Sequence, residues 1–191
     1  MEHFDKTMKI LTNAICSVSE HEYNTLKRDC IRVINSGGKL IATGLGKNVA
    51  VCEKFVGTLN SIGIPAAFMH TNSAIHGDLG LVKNEDLVII LTKSGETAES
   101  IYLVRQLKKR KCCLWLLSFC KNSTLYNELP NHLIIDLSHE GDEWNTLPNN
   151  STVLNLIILQ ELAMQIIKEQ GITIDELRLN HPGGAIGEQL K

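Results

Sequence analysis

Neither sign of charge dominates this chain: 19 lysines and arginines stand against 21 aspartates and glutamates, a formal net charge of −2 over 191 residues. That leaves no electrostatic footprint for nucleic acid or for an acidic membrane surface. Long apolar runs are missing as well. The longest apolar region, Val153 to Ile167, is broken by Asn155, Gln160, Glu161 and Gln165, so no stretch has the roughly 20 apolar residues of a membrane span. The opening residues Met1-Glu2-His3-Phe4-Asp5-Lys6 lack the charged and apolar regions of a signal peptide. Cys-x-x-Cys pairs are absent among Cys16, Cys30, Cys52, Cys112, Cys113 and Cys120. These cysteines read as reduced thiols of a cytoplasmic protein, with Cys112 and Cys113 serving as small core residues. No repeats, linkers or low-complexity tracts interrupt the chain. What is present, 43% hydrophobic residues, suits one domain with a substantial core.

Apolar positions from Phe4 to Ile34 follow helical spacing and predict one broken helix or two, ended by Ser36-Gly37-Gly38. Strands and helices then alternate. Predicted strands are Leu40–Ala42, Ala66–Met69, Leu87–Leu91, Cys112–Ser118 and Leu133–Ile135. Predicted helices run from Lys47 to about Ser61, Ala98 to Lys109, Ser123 to Glu128 and Ser151 to Gln170, with a last helical turn or two before His181. Continuously apolar strands alternating with helices predict an α/β fold, a parallel sheet covered on both faces. In such folds the site lies beyond the carboxyl ends of the strands, near the topological switch point.

Four motifs mark such positions: Gly44-Leu45-Gly46-Lys47, His76-Gly77-Asp78-Leu79-Gly80, Thr92-Lys93-Ser94-Gly95-Glu96-Thr97 and His181-Pro182-Gly183-Gly184. The third places hydroxyls and free N–H groups at a helix N-terminus, a site for a dianionic phosphate. Gly44-x-Gly46 is not a dinucleotide fingerprint, because Val49 stands where a third small residue is needed and His70 where a ribose-binding acid is expected. Nor is it a P-loop. Lys47 opposes the dipole of the helix it opens, which suits a cation aimed at a bound or developing anion. Glu96 and Glu99 occupy the next helix's first turn, where acids are favoured anyway; beside a phosphate, one of them would face the substrate carbons. Glu140 opens a polar loop, and His70, His76 and His181 lie in or near the motif loops without the spacing of a dedicated zinc site.

Together the motifs, with Ser94-Gly95-Glu96-Thr97-x-Glu99 and Asn180-His181-Pro182-Gly183-Gly184-Ala185-x-Gly187, resemble the sugar isomerase (SIS) domain, and within it the arabinose 5-phosphate isomerases. The resemblance implies a three-layer, flavodoxin-like α/β sandwich with a five-stranded parallel sheet. Residues 1–37 would form a helical segment packed on an isomerase domain spanning 38–191. It further implies no cofactor, no metal, a homotetramer, a sugar-phosphate substrate, no nucleic-acid or membrane partner, and a role in making the acidic sugar Kdo. Carried over by position, Lys47, Glu99, Glu140, His181 and His76 would be catalytic, with Glu99 the base and the histidines serving the sugar oxygens. Gly46, Asn48, Gly63, His70, Ser94, Gly95, Glu96, Thr97, Ser151 and Thr152 would bind substrate. Pro148-Asn149-Asn150-Ser151-Thr152 departs from the Pro-Thr-Ser-Ser-Thr usual in the family. Many relatives continue into paired CBS domains, whereas this chain stops at Lys191, which points to a single-domain form. A heptose-phosphate isomerase of the same superfamily and a non-catalytic sugar-phosphate sensing module are the alternatives.

Overall fold

Leu87–Leu91 is the central strand, and all five of its residues are buried, as expected for a parallel strand covered on both faces. The computed structural model describes residues 2–189. Its sheet has five parallel strands: β1 (Leu40–Gly44), β2 (Ala66–Phe68), β3 (Leu87–Leu91), β4 (Cys113–Ser118) and β5 (His132–Ile134). Their order is β2-β1-β3-β4-β5. From β1 the chain crosses outward to β2, then returns past β1 to β3 and proceeds the other way. The loops leaving β1 and β3 therefore diverge, opening a crevice at their carboxyl ends.

Alternate strand residues feed two separate cores. Leu40, Ala42, Leu87, Ile89, Leu91, Trp115 and Leu117 meet α1 (Glu2–Cys16), α2 (Glu20–Asn35), α3 (Asn48–Ser61) and α7 (Asn150–Gln170). Ile41, Val88, Ile90, Leu114, Leu116 and Ile134 meet α4 (Thr71–Ala74), α5 (Ala98–Leu107) and α6 (Thr124–Glu128). The result is three layers. The N-terminal region is two helices, because Ser19 caps α2 by accepting a hydrogen bond from the Glu22 N–H. Leu11, Ala14, Leu26, Cys30 and Val33 share a core with the sheet.

Two expectations need correction. Helix α7 is, with 21 residues and a window of mean hydropathy 1.2, long and apolar enough to cross a membrane by length and composition. Half of that window is buried, because Leu154, Ile158, Leu159, Leu162, Ala163 and Ile166 pack into the core. Beyond α8 (Ile174–Asn180), the Pro182-Gly183 turn leads into a further helix, α9 (Gly184–Gln189), which the glycines concealed.

Candidate active site

The Gly44–Lys47 turn carries the chain from β1 into α3. A Cβ at Gly44 would lie 2.9 Å from the Cβ of Asn48 and 3.3 Å from the Leu91 carbonyl oxygen, so only glycine leaves room for the first residue of α3 to tuck against β3. Lys47 occupies the N-cap of α3 with helical backbone and no side-chain cap bond, and it is exposed. Its charge is thereby added to the positive end of the helix dipole.

The Thr92–Thr97 turn carries β3 into α5. Buried Thr92 accepts the Gly95 N–H at 3.2 Å, and Ser94 accepts the Glu96 N–H at 3.1 Å. Gly95 has φ +69°, and any Cβ there would lie 2.2 Å from the Ser123 hydroxyl, so this position requires glycine twice over. Thr97 caps α5 in extended backbone geometry without using its side chain. Ser94, Thr97 and buried Ser100 line a cavity of about 230 Å³, together with Lys47, Asn48 and Lys93 and, from α7, Ser151 and Asn155. Two cations, several hydroxyls and the N-termini of α3 and α5 make this crevice suited to a polar, dianionic ligand.

Glu140 is 1% exposed and holds the roof in place. Its Oε2 accepts the N–H groups of Asn149 and Ser151 at 3.0 and 2.9 Å, at the start of α7. Its Oε1 forms an ion pair with Lys93 Nζ at 2.7 Å, although no aligned hydrogen bond reaches that atom. Burial alone would raise this carboxyl. The Lys93 contact, the Ser151 hydroxyl and the Ser151 and Asn149 N–H groups together outweigh burial and hold it below its ordinary 4.5. A carboxylate depressed in the folded state contributes stability that is fully present above the unfolded value and lost as pH falls through the folded one. Thermal stability should therefore weaken below about pH 4.5, and Lys93→Met, by raising the folded-state value toward the unfolded one, should shrink that loss. An unmoved acid limb in Lys93→Met would show that the ion pair does not hold Glu140 ionised.

Of the residues expected from sequence, the structure gathers Gly46, Lys47, Asn48, Ser94, Thr97 and Ser151 around the cavity, with Gly95 shaping its turn and Glu140 supporting it. Others are turned elsewhere. Glu96 accepts the Thr124 N–H at 2.6 Å and the Thr124 hydroxyl at 2.9 Å, so its carboxylate caps α6 instead of facing a ligand. Thr152 donates back to the Pro148 carbonyl at 3.0 Å. Glu99 lines a separate cleft with Thr71, Asn72, Ile75 and Tyr102. His70 Nδ1 accepts the Asn72 N–H at 3.3 Å and caps α4, while His76 is exposed in the turn beyond it.

Gly63 lies at the far end of α3, beside the Asn180 that precedes His181. A Cβ on Gly63 would be 3.6 Å from Asn180 Nδ2, and α3, which starts at the cavity, has 14 residues, about 21 Å of rise. Sequence reasoning missed Lys93, Ser100 and Asn155 as cavity residues. An asparagine in the apolar register of α7 was the available signal for Asn155. Among the described residues, no group of three or more His, Cys, Asp or Glu side chains could hold a metal ion.

The fold and cavity define a doubly wound α/β domain with a turn suited to an anion at its switch point. The chain belongs to the SIS domain family, whose model matches residues 33–164. It is similar to the arabinose 5-phosphate isomerase KdsD of Yersinia pestis, 31% identical over 185 residues, covering 97% of this chain and 56% of that protein. It is 33% identical over 161 residues to the KdsD protein of Escherichia coli O6:H1 strain CFT073, covering 84% of this chain and 49% of that one. The chain thus spans about half the length of these curated relatives. An E. coli CFT073 protein solved in complex with arabinose 5-phosphate superposes with a TM-score of 0.85 at 30% identity, covering 95% of each chain.

Proposed function

We propose that this protein is an aldose–ketose isomerase that interconverts D-arabinose 5-phosphate and D-ribulose 5-phosphate through an enediolate. The observation that carries the reading is the cavity at the switch point, where the Ser94–Thr97 turn at the start of α5 faces Lys47 and Lys93. The phosphate lies on that turn, where hydroxyls and N–H groups meet the helix dipole. The carbon chain extends toward Lys47, which stabilises the oxyanion as a proton leaves one carbon for its neighbour. Glu99, two residues after Thr97 and turned into the adjoining cleft, is the base that carries this proton once its side chain swings toward the cavity, and a histidine serves the two oxygens. Arabinose 5-phosphate made here would supply Kdo for lipopolysaccharide or capsule. The similarity to KdsD proteins and to the arabinose 5-phosphate complex supports this substrate class.

The enzyme works as a cytoplasmic homotetramer. Phe4, Met8 and Ile15 of α1 and Val153, Ile157 and Met164 of α7 are exposed apolar side chains, and Ile15 and Ile157 border one groove, which supports burial of this face against another copy. All six cysteines are unpaired, in keeping with a reducing compartment.

The test is a panel of pentose, hexose and heptose phosphates assayed for isomerisation in EDTA. Turnover of arabinose 5-phosphate without metal is expected. Turnover confined to a heptose phosphate, or binding without turnover, would replace this reading by one of its alternatives. Within the phosphate subsite, Ser94→Ala and Thr97→Ala each remove a hydroxyl placed for a charged acceptor, an interaction worth about 1.5–3 kcal/mol. Each should raise KM more than it changes kcat; an unchanged KM in the double variant would move the phosphate elsewhere.

A further inference from the structure

Asn155 is 1% exposed, lines the cavity, and has a side-chain oxygen with no hydrogen-bond partner. Its amide orientation is dictated by its neighbours. The Leu91 carbonyl can only accept, so it takes the Asn48 Nδ2 at 3.4 Å and turns Asn48 Oδ1 toward α7. That oxygen can likewise only accept, and it takes Asn155 Nδ2 at 3.0 Å. The relay ends with the Asn155 carbonyl oxygen buried and unpartnered. Buried acceptors are costly to leave unmatched; among the described residues, the other buried side-chain atoms lacking a hydrogen bond, Tyr23 Oη and Glu140 Oε1, belong to residues that do not line this cavity. Ser151 stands one helical turn before Asn155 on the same face of α7 and also lines the cavity.

We infer that Asn155 is a specificity-determining residue whose side-chain oxygen accepts a hydrogen bond from a hydroxyl of the sugar phosphate, with Asn48 holding it in that orientation. This inference rests on the sugar-phosphate reading given above and deepens it. An acceptor-only oxygen repels a phosphate dianion and attracts a hydroxyl donor. It therefore fixes the polarity of binding: phosphate on the Ser94–Thr97 turn, polyol against the amide pair. An apolar or deoxygenated carbon at that point would leave the oxygen desolvated and unpaired, and a site built to hydrogen-bond a hydroxyl rejects the analogue lacking it.

The experiment measures binding by calorimetry for inorganic phosphate, arabinose 5-phosphate and its 2-deoxy and 3-deoxy analogues. The wild-type protein should bind one of the deoxy analogues about 10- to 100-fold more weakly than the parent sugar. In Asn155→Leu the parent should weaken to match that analogue, bringing their ratio to within about twofold, while inorganic phosphate binds as before. Asn155→Ala removes the same oxygen without adding bulk and carries the test if the leucine variant does not fold. A purely structural amide pair would lower the melting temperature and leave the parent-to-deoxy ratio intact, which would overturn the inference alone. Wild-type protein that binds phosphate but no arabinose 5-phosphate would overturn the substrate reading, and this inference with it.

Discussion

Glu99→Gln is expected to lower kcat by about 10²–10⁴-fold, the usual contribution of a positioned general base, with binding of a phosphate ligand largely kept. Glu99 lies in the first turn of α5, exposed, beside Thr97 and Ser100, which line the cavity. Its own side chain belongs to the adjoining cleft with Tyr102 and Ile75. Glutamine keeps the shape and removes the charge, so the stability cost is limited to the helix-dipole contribution of about 0.3–1 kcal/mol. Glu96→Gln is the matched control three residues earlier. Its carboxylate is committed to the Thr124 N–H and hydroxyl, so that change should cost about 1 kcal/mol of stability and little turnover. Steady-state kinetics and thermal melts of the two variants decide the matter. A large kcat loss in Glu96→Gln, with Glu99→Gln near wild type, would reverse the assignment.

The sheet was readable because its strands are apolar throughout. Leu87–Leu91 has the same boundaries in sequence and in structure, since a strand buried on both faces has no polar position to blur its ends. The Thr92–Thr97 turn was equally plain as a turn, because Gly95 is required by both φ and the close Ser123. Side-chain aim was not readable. Glu96 and Glu99 both read as first-turn acids, but α5 starts at Ala98 behind the Thr97 N-cap, so Glu96 precedes the helix and its carboxylate meets Thr124 of α6. Lys93 gave no local signal, because its partner Glu140 is 47 residues away and becomes buried only when α7 docks. The helical turns expected before His181 are α8, which a reciprocal capping box between Thr173 and Glu176 starts; beyond it only α9, opened by Gly184, was not legible.

Mixing inactive Glu99→Gln chains with inactive His181→Ala chains should restore activity, to roughly a quarter of wild type at equal amounts, if each site takes one of the two residues from each of two chains. The separation within one chain supports this. His181 follows Asn180, which packs near Gly63 at the end of α3 remote from the cavity. That end of α3 is about 21 Å of helical rise from the cavity at its start, too far for a group there to act on a ligand held in the cavity of its own chain. The histidine is nonetheless prepared for acid–base work. Its Nδ1 lies 3.0 Å from the Leu177 carbonyl, which can only accept, so Nδ1 carries the proton and Nε2 is left for a ligand. The exposed apolar stripe on α1 and α7 supplies a surface on which copies can meet. Recovered turnover in mixed assemblies, with neither parent regaining it alone, is the expected result. Verified mixed oligomers that stay inactive would mean that Glu99 and His181 serve a site from the same chain, or that His181 has no part in the reaction, and the shared-site arrangement would be abandoned.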